Sequence, residues 1–274
     1  MVKKEKIRVV LFALTGFGNA VLEALLKDTR VRVAGLFTRP KSKKPFPHYP
    51  CVQLMDLARK NKVSAYTGNI NSALTVIKKI RPDLILVCTF DQIIPRKIIK
   101  LSRWGVINLH PSLLPRYRGA TPTNWVLLRG EKETGVTAHF IENEKVDAGP
   151  IILQRKIRIH PDDNDGILRR KLAVLSVGLT WELISLLISG KIRVRQQNEG
   201  LSSWFPRRSL KSVKLDLGLT CDEILNMIRG LTPFPGVYIV KNRRRSVIKA
   251  KKISPNRLCL ILKEGRSLTI NCAR

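Results

Sequence analysis

Apolar residues recur along this chain in two alternating rhythms. Short β-rich runs at positions 7–14, 32–37 and 84–88 (IRVVLFAL, RVAGLF, LILVC) read as strands, and the last is apolar throughout, as expected of a strand covered on both faces. Between them, positions 20–26, 52–60 and 72–80 read as helices. Strands alternating with helices predict an α/β fold of the doubly wound kind, a mostly parallel sheet with helices on both faces. Positions 105–109, 134–141 and 151–157 read as three more strands. Positions 166–189 predict a long amphipathic helix, with Ile167, Leu168, Leu172, Leu175, Leu179 and Leu183 at helical spacing. The rhythm then breaks. A polar stretch at 196–208 predicts a linker, and beyond it a helix at 221–231 stands among short alternating runs at 237–240, 246–249, 258–262 and 267–271. That pattern predicts a small β-barrel of OB-like form. The expected organisation is one large domain over 1–195, a linker over 196–208 and a small basic domain over 209–274.

The first strand runs into Thr15-Gly16-Phe17-Gly18, which raises the question of dinucleotide binding. Val21 stands where a third glycine would be needed, and Thr38 and Arg39 follow the second strand in place of an acidic residue. The glycines therefore read as a tight turn. Positions 39–50 (RPKSKKPFPHYP) hold four prolines together with Arg39, Lys41, Lys43 and Lys44, so they form neither a helix nor a central strand. They read as a solvated loop or as a mobile arm that grips a polyanion, and His48 within it reads as incidental.

Charge sharpens the question of partners. The 274 residues carry 51 Lys+Arg against 20 Asp+Glu, a formal net charge of +31. The last 74 residues hold +12 and the first 200 hold +19, so the tail is the more basic by density. Such a field attracts RNA, DNA or anionic surfaces, unless the whole proteome is basic. The five cysteines, Cys51, Cys88, Cys221, Cys259 and Cys272, form no CxxC pair and read as reduced packing residues of a cytoplasmic protein. No apolar run reaches the roughly 18 residues expected of a membrane span. The N-terminus reads as a first strand and not as a signal peptide.

Candidate chemistry gathers in GVINLHPSLLPRYRGATPTNW, residues 105–125. Asn108 and His110 sit two apart at the carboxyl end of a strand, on one face, where ligands bind in open α/β sheets. Asn108 offers a donor for a developing oxyanion, His110 a proton near neutral pH, and Asp147, in a loop followed by Gly149, a carboxylate. There is no GxSxG and no adjacent cysteine, so the set suits acyl transfer in which the substrate brings its own nucleophile. One histidine and one aspartate leave a zinc site short of ligands, so no metal is expected. From the residues alone, a strand-end cap and a catalytic pair both remain open.

NLHPSLLPRYRG together with the downstream DAGPIILQ resembles the signature of the 10-formyltetrahydrofolate-dependent formyltransferases, a likeness that extends from about residue 7 to about residue 190. The resemblance implies that the α/β fold is the family's Rossmann-like domain, that Asn108, His110 and Asp147 are the catalytic triad and that 10-formyltetrahydrofolate is the co-substrate. It also implies that 87–94 and 142–147 border the folate pocket, through Val87, Cys88, Phe90, Ile93, Ile94, Glu142 and Val146. In the implied mechanism an amine attacks the formyl carbon while Asn108 and a protonated His110 stabilise the oxyanion. IRGLTPFPGVYIV in the tail is similar to the C-terminal domain of those family members that act on initiator methionyl-tRNA or on nucleotide-linked amino sugars. For the tRNA speak the charge and the arm, with Arg39, Lys41, Lys43, Lys44, Arg116, Arg118, Arg243, Arg244 and Arg245 as candidate contacts. For the amino sugar speak GATPTNW and the Pro-Arg-Arg at 206–208. A catalytically idle RNA-binding protein on the same scaffold is the remote alternative, and it expects no folate binding.

Overall fold

The computed structural model describes residues 5–206, 211–240 and 244–273. The chain begins with β1 (Ile7–Ala13), α1 (Phe17–Lys27), β2 (Val31–Phe37), α2 (Leu54–Lys60), β3 (Ala65–Tyr66), α3 (Ala73–Ile80), β4 (Leu84–Cys88) and α4 (Arg96–Ile99). It continues with β5 (Val106–His110), β6 (Arg118–Gly119), α5 (Pro122–Leu128), β7 (Glu133–Phe140), β8 (Ile151–Arg158), α6 (Asp165–Ser189) and β9 (Trp204–Phe205). The last part holds β10 (Val213–Lys214), α7 (Cys221–Leu231), β11 (Val237–Val240), β12 (Arg244–Ser254), β13 (Arg257–Leu262) and β14 (Ser267–Asn271).

Seven strands form the main sheet in the order β3-β2-β1-β4-β5-β7-β8. The pairs from β3 through β5 are parallel, and β7 and β8 add two antiparallel strands. The pleat of β1 explains the two cores. Val9, Leu11 and Ala13 face one buried layer with α1 and α6, while Val10 and Phe12 face another with Ile77 of α3 and Ile98 of α4. Gly16 makes the expected turn with φ 105°, where a Cβ would come within 2.6 Å of the Phe46 ring. Asn19 locks that turn by accepting the Gly16 N–H at 2.9 Å.

Three expectations are corrected. By length and composition α6 could cross a membrane, with a mean hydropathy of 1.9 over 18 residues, although no run of that kind was expected. In the fold it packs between α1 and the β7–β8 pair, burying Leu168, Leu172, Leu179 and Leu183, so its hydropathy is that of a core helix. Within the polar stretch expected as a linker, β9 pairs in parallel with β6. The small domain is a five-stranded sheet, β10-β11-β12-β13-β14, with α7 packed on it through Ile224, Ile228 and Leu231. Among the described residues its two edges meet only at a bridge from Thr220 to Ala273, so no continuous barrel ladder forms. Its long strand β12 runs eleven residues, well beyond the expected 246–249. Finally, Cys221 and Cys272 are joined in a disulfide with Cα atoms 5.3 Å apart, whereas Cys51, Cys88 and Cys259 are free. Nothing in the spacing of two cysteines 51 residues apart announces that β14 returns to the start of α7.

His48 is also more than incidental. Its Nδ1 lies 2.7 Å from Asp165 at the start of α6, and Arg169 donates to the same carboxylate oxygen at 2.8 Å. The half-buried imidazole thereby ties the 39–50 loop to the long helix.

Candidate active site

β5 carries the site because it lies between a parallel and an antiparallel neighbour. Its register places Asn108 opposite Val87 of β4 and His139 of β7, and His110 opposite Thr137. The loop between β7 and β8 then brings Asp147 over the end of β5. Asn108 Nδ2 donates to Asp147 Oδ1 at 3.0 Å, and His110 Nδ1 lies 3.4 Å from Asp147 Oδ2. The three residues singled out from the sequence therefore meet at one point.

The surroundings define their protonation. His110 is 4 % exposed, and its Nε2–H donates to the Tyr117 carbonyl oxygen at 2.8 Å, which leaves Nδ1 facing the carboxylate. Burial pushes the His110 imidazole below its ordinary value; Asp147 and the Tyr117 carbonyl pull the other way, and His139 lowers it further. Burial alone would raise the Asp147 carboxyl. His110, His139 and the Gly119 N–H, which donates to Oδ2 at 2.9 Å, outweigh that and hold it far below the usual carboxylate range. Burial thus favours the neutral imidazole, while the carboxylate beside it opposes that loss of charge.

His139 is the residue that sequence reasoning missed. Its Nδ1–H donates to the Phe140 carbonyl at 2.9 Å, and its Nε2 stands 3.1 Å from Asn108 Nδ2 and 3.4 Å from Asp147 Oδ1. It accepts the second hydrogen of the Asn108 amide and so fixes that amide's orientation. The signal was present: a histidine within the alternating strand TGVTAHFI, 1 % exposed, needs a polar partner. Backbone strain marks the same place. Thr89, Tyr117, Thr121 and Asp147 have φ of 53°, 61°, 59° and 52°, a left-handed conformation that costs non-glycine residues about 1–3 kcal/mol each.

The other expected site residues divide. Phe90, Ile93, Glu142 and Val146 keep accessible surface near the ends of β4 and β7, as a folate-bordering rim requires. Val87, Cys88 and Ile94 are buried in the sheet core, so their side chains pack and only their backbone is available. In the arm, Lys43 and Lys44 are exposed, Arg39 is ion-paired to Asp91, and Lys41 Nζ lies 2.7 Å from Asp56. Arg116 is ion-paired to Glu131 at the surface. Arg118, by contrast, is buried and gives its donors to Gln197 and Glu199. In the small domain Arg244 lies over the Tyr238 ring at 3.8 Å, Arg245 Nε is 3.9 Å from Glu264, and Arg243 falls outside the described residues, as do Arg207 and Arg208.

A buried carboxylate, imidazole and amide at a strand end form an arrangement suited to group transfer, and comparison with known proteins gives the family. Residues 5–180 match the formyl transferase family, and the chain belongs to it. It is 41% identical to a methionyl-tRNA formyltransferase of Syntrophus aciditrophicus over 62% of its own length and 54% of that relative's, so this match spans about half of the relative. With the methionyl-tRNA formyltransferase of Bacillus subtilis it shares 32% identity over 94% of this chain and 84% of the other. Among solved structures, an N-formyltransferase from Helicobacter canadensis in complex with folinic acid and dTDP-3-aminofucose has the same fold, with a TM-score of 0.72, 22% identity and coverage of 97% and 99% of the two chains. The methionyl-tRNA formyltransferase of Clostridium thermocellum has a TM-score of 0.60 at 16% identity, with 97% and 99% coverage.

Proposed function

We propose that this chain transfers a formyl group from 10-formyltetrahydrofolate to the amino group of initiator methionyl-tRNA. The observation that carries the transfer chemistry is the contact of Asp147 with both Asn108 and His110 in a site without a nucleophile of its own. The co-substrate supplies an electrophilic formyl carbon and the acceptor supplies the amine. His110 enters the cycle neutral, not as the imidazolium expected from the pattern, because burial opposes its charge. Its Nδ1 takes the proton that the amine sheds as the new C–N bond forms and returns it to N10 as the formyl C–N10 bond breaks and tetrahydrofolate leaves; the adjacent Asp147 carboxylate stabilises the imidazolium between the two steps. Asn108 supplies an N–H for negative charge on the formyl oxygen. Both of its amide hydrogens are engaged at rest, so one is exchanged from Asp147 or His139.

A pH dependence follows. The acid limb of kcat is expected below the ordinary histidine value of about 6.5, since the working form is the neutral imidazole and its pKa is lowered. Asp147→Asn removes the charge that raises His110, so the limb moves further toward acid while the plateau falls. A kcat profile of the two proteins between about pH 4 and 8 measures both effects.

For the tRNA acceptor, support comes from the net charge of +31, the basic small domain over 209–274 and the curated relatives. In this reading residues 1–195 carry the transfer chemistry, 196–208 connect, and 209–274 contact phosphates, with action in the cytoplasm where the two substrates occur. The KM for tRNA is expected to rise about tenfold for every two phosphate contacts between about 50 and about 200 mM salt, with the folate KM little changed. The amino-sugar reading is favoured by one specific observation: Arg39 and Lys41 of the arm are already paired with acidic residues. Transfer assays with methionyl-tRNA and with nucleotide-linked amino sugars at both salt concentrations decide between them. Formylated sugar with unreacted tRNA overturns the tRNA proposal.

A further inference from the structure

The stretch 196–208 touches the support of both catalytic groups. His110 is oriented by the Tyr117 carbonyl, and Asp147 by the Gly119 N–H, so the segment 117–119 sets the geometry of the pair. That segment is held in turn by β9 and the residue before it. Ser203 Oγ accepts the Tyr117 N–H at 2.9 Å, the Ser203 carbonyl accepts the Arg118 N–H at 2.8 Å, and Phe205 stacks on the Tyr117 ring at 5.1 Å. Gln197 closes the arrangement from the other side. Its Nε2 donates to the carbonyls of Asp147, at 2.8 Å, and Gly149, at 2.7 Å, while its Oε1 accepts from Arg118 at 2.8 and 3.1 Å.

From this geometry we infer that Gln197 is a positioning residue for formyl transfer, holding the Asp147 turn at the distance from His110 that proton transfer requires. The inference rests on the function proposed above. Three features single out Gln197. Both hydrogens of its amide are spent on the carbonyl of the strained Asp147 and that of Gly149 two residues on; Asp147 has φ 52° and needs external bonds to stay there. A single side chain gathers both carbonyls and so closes the turn. Arg118, fixed by Glu199 at 2.7 and 2.8 Å, orients the Gln197 amide so that its nitrogen and not its oxygen meets them. Displacing a reacting group by about 1 Å costs on the order of 100-fold in rate, and loss of these two bonds frees the turn to move by such an amount.

The test compares the full-length wild type with Gln197→Leu and Gln197→Glu in the transfer assay. Leucine keeps the volume and removes all polar contacts; glutamate keeps the acceptor for Arg118 but presents oxygens to the two carbonyls, and it serves where the leucine variant fails to fold. Both are expected to lower kcat by about 10- to 100-fold with the folate KM within about threefold of wild type. The leucine variant is also expected to move the acid limb of kcat toward lower pH. The charged and titratable groups facing His110 are Asp147 from the β7–β8 loop and His139 from β7, and only Asp147, which raises His110, hangs on Gln197. Wild-type kcat in the variants overturns the inference, as does a fall in kcat with the limb unmoved in the leucine variant, which would report damage to the fold. Absence of transfer by the wild type itself would instead overturn the proposed function.

Discussion

His110→Ala is expected to lower kcat for formyl transfer by at least about 100-fold, with the protein folded and the folate KM within a few-fold of wild type. General-base groups contribute about 10²–10⁴ in rate, and the geometry here leaves no second base for the role. His139 Nε2 is engaged with Asn108, and its Nδ1–H is held by the Phe140 carbonyl. Asp147 loses its stabilising task once no imidazolium forms, so Asp147→Asn in the His110→Ala background is expected to add much less than it costs alone. Residues that act as one unit behave in this non-additive way. Steady-state kinetics on the two single variants and the double variant measure the effect. Wild-type kcat in His110→Ala sinks the assignment of the site, and fully multiplied losses in the double variant sink the coupling between the two groups.

Phe12→Ala is expected to lower folding stability by about 3–5 kcal/mol, the usual cost of truncating a fully buried phenylalanine. Phe12 is 0 % exposed, stacks on Phe37 at 4.6 Å and meets Phe90 edge to face at 5.2 Å. The deletion therefore removes the centre of an aromatic layer that continues through Phe37 to Tyr66. Phe90 stands on the rim expected to border folate, so the same change is expected to raise the folate KM while kcat at saturating substrate is largely kept. Denaturant unfolding and initial-rate kinetics read the two parts separately. A loss under about 1 kcal/mol would mean that the layer closes over the gap.

Where the pattern was strongly periodic, sequence and structure agree closely. β4, α7, β11 and β14 fall at their expected limits, since each is bounded by turn residues and filled by apolar side chains whose period admits one reading. The pair Asn108 and His110 was legible for a different reason: the two lie two apart on one strand, and local geometry alone places them together, whereas Asp147, 39 residues from Asn108, was assigned to the triad through the family resemblance. The rest of the site was not legible. His139 lies 31 residues from Asn108 and joins it only because β7 pairs antiparallel to β5 in that register. Gln197 read as part of a polar linker, because nothing in its neighbourhood reveals that the chain returns across the β6 segment after α6.

The sequence by itself determined the alternation of strand and helix, the two-sided core, the Asn108 and His110 pair at the end of β5 and the excess of positive charge. Each is encoded by neighbours a few residues apart, through the periods of helix and strand or through composition. Only the tertiary structure decided that α6 is a core helix, that the small domain is a sheet with α7 against it, that Cys221 meets Cys272, that burial opposes charge on His110, and that Gln197 of the expected linker bonds the Asp147 carbonyl. These depend on which distant surfaces exclude water together. A pKa, a register and a buried hydrogen bond are properties of an assembled environment, and no local window of the chain contains it.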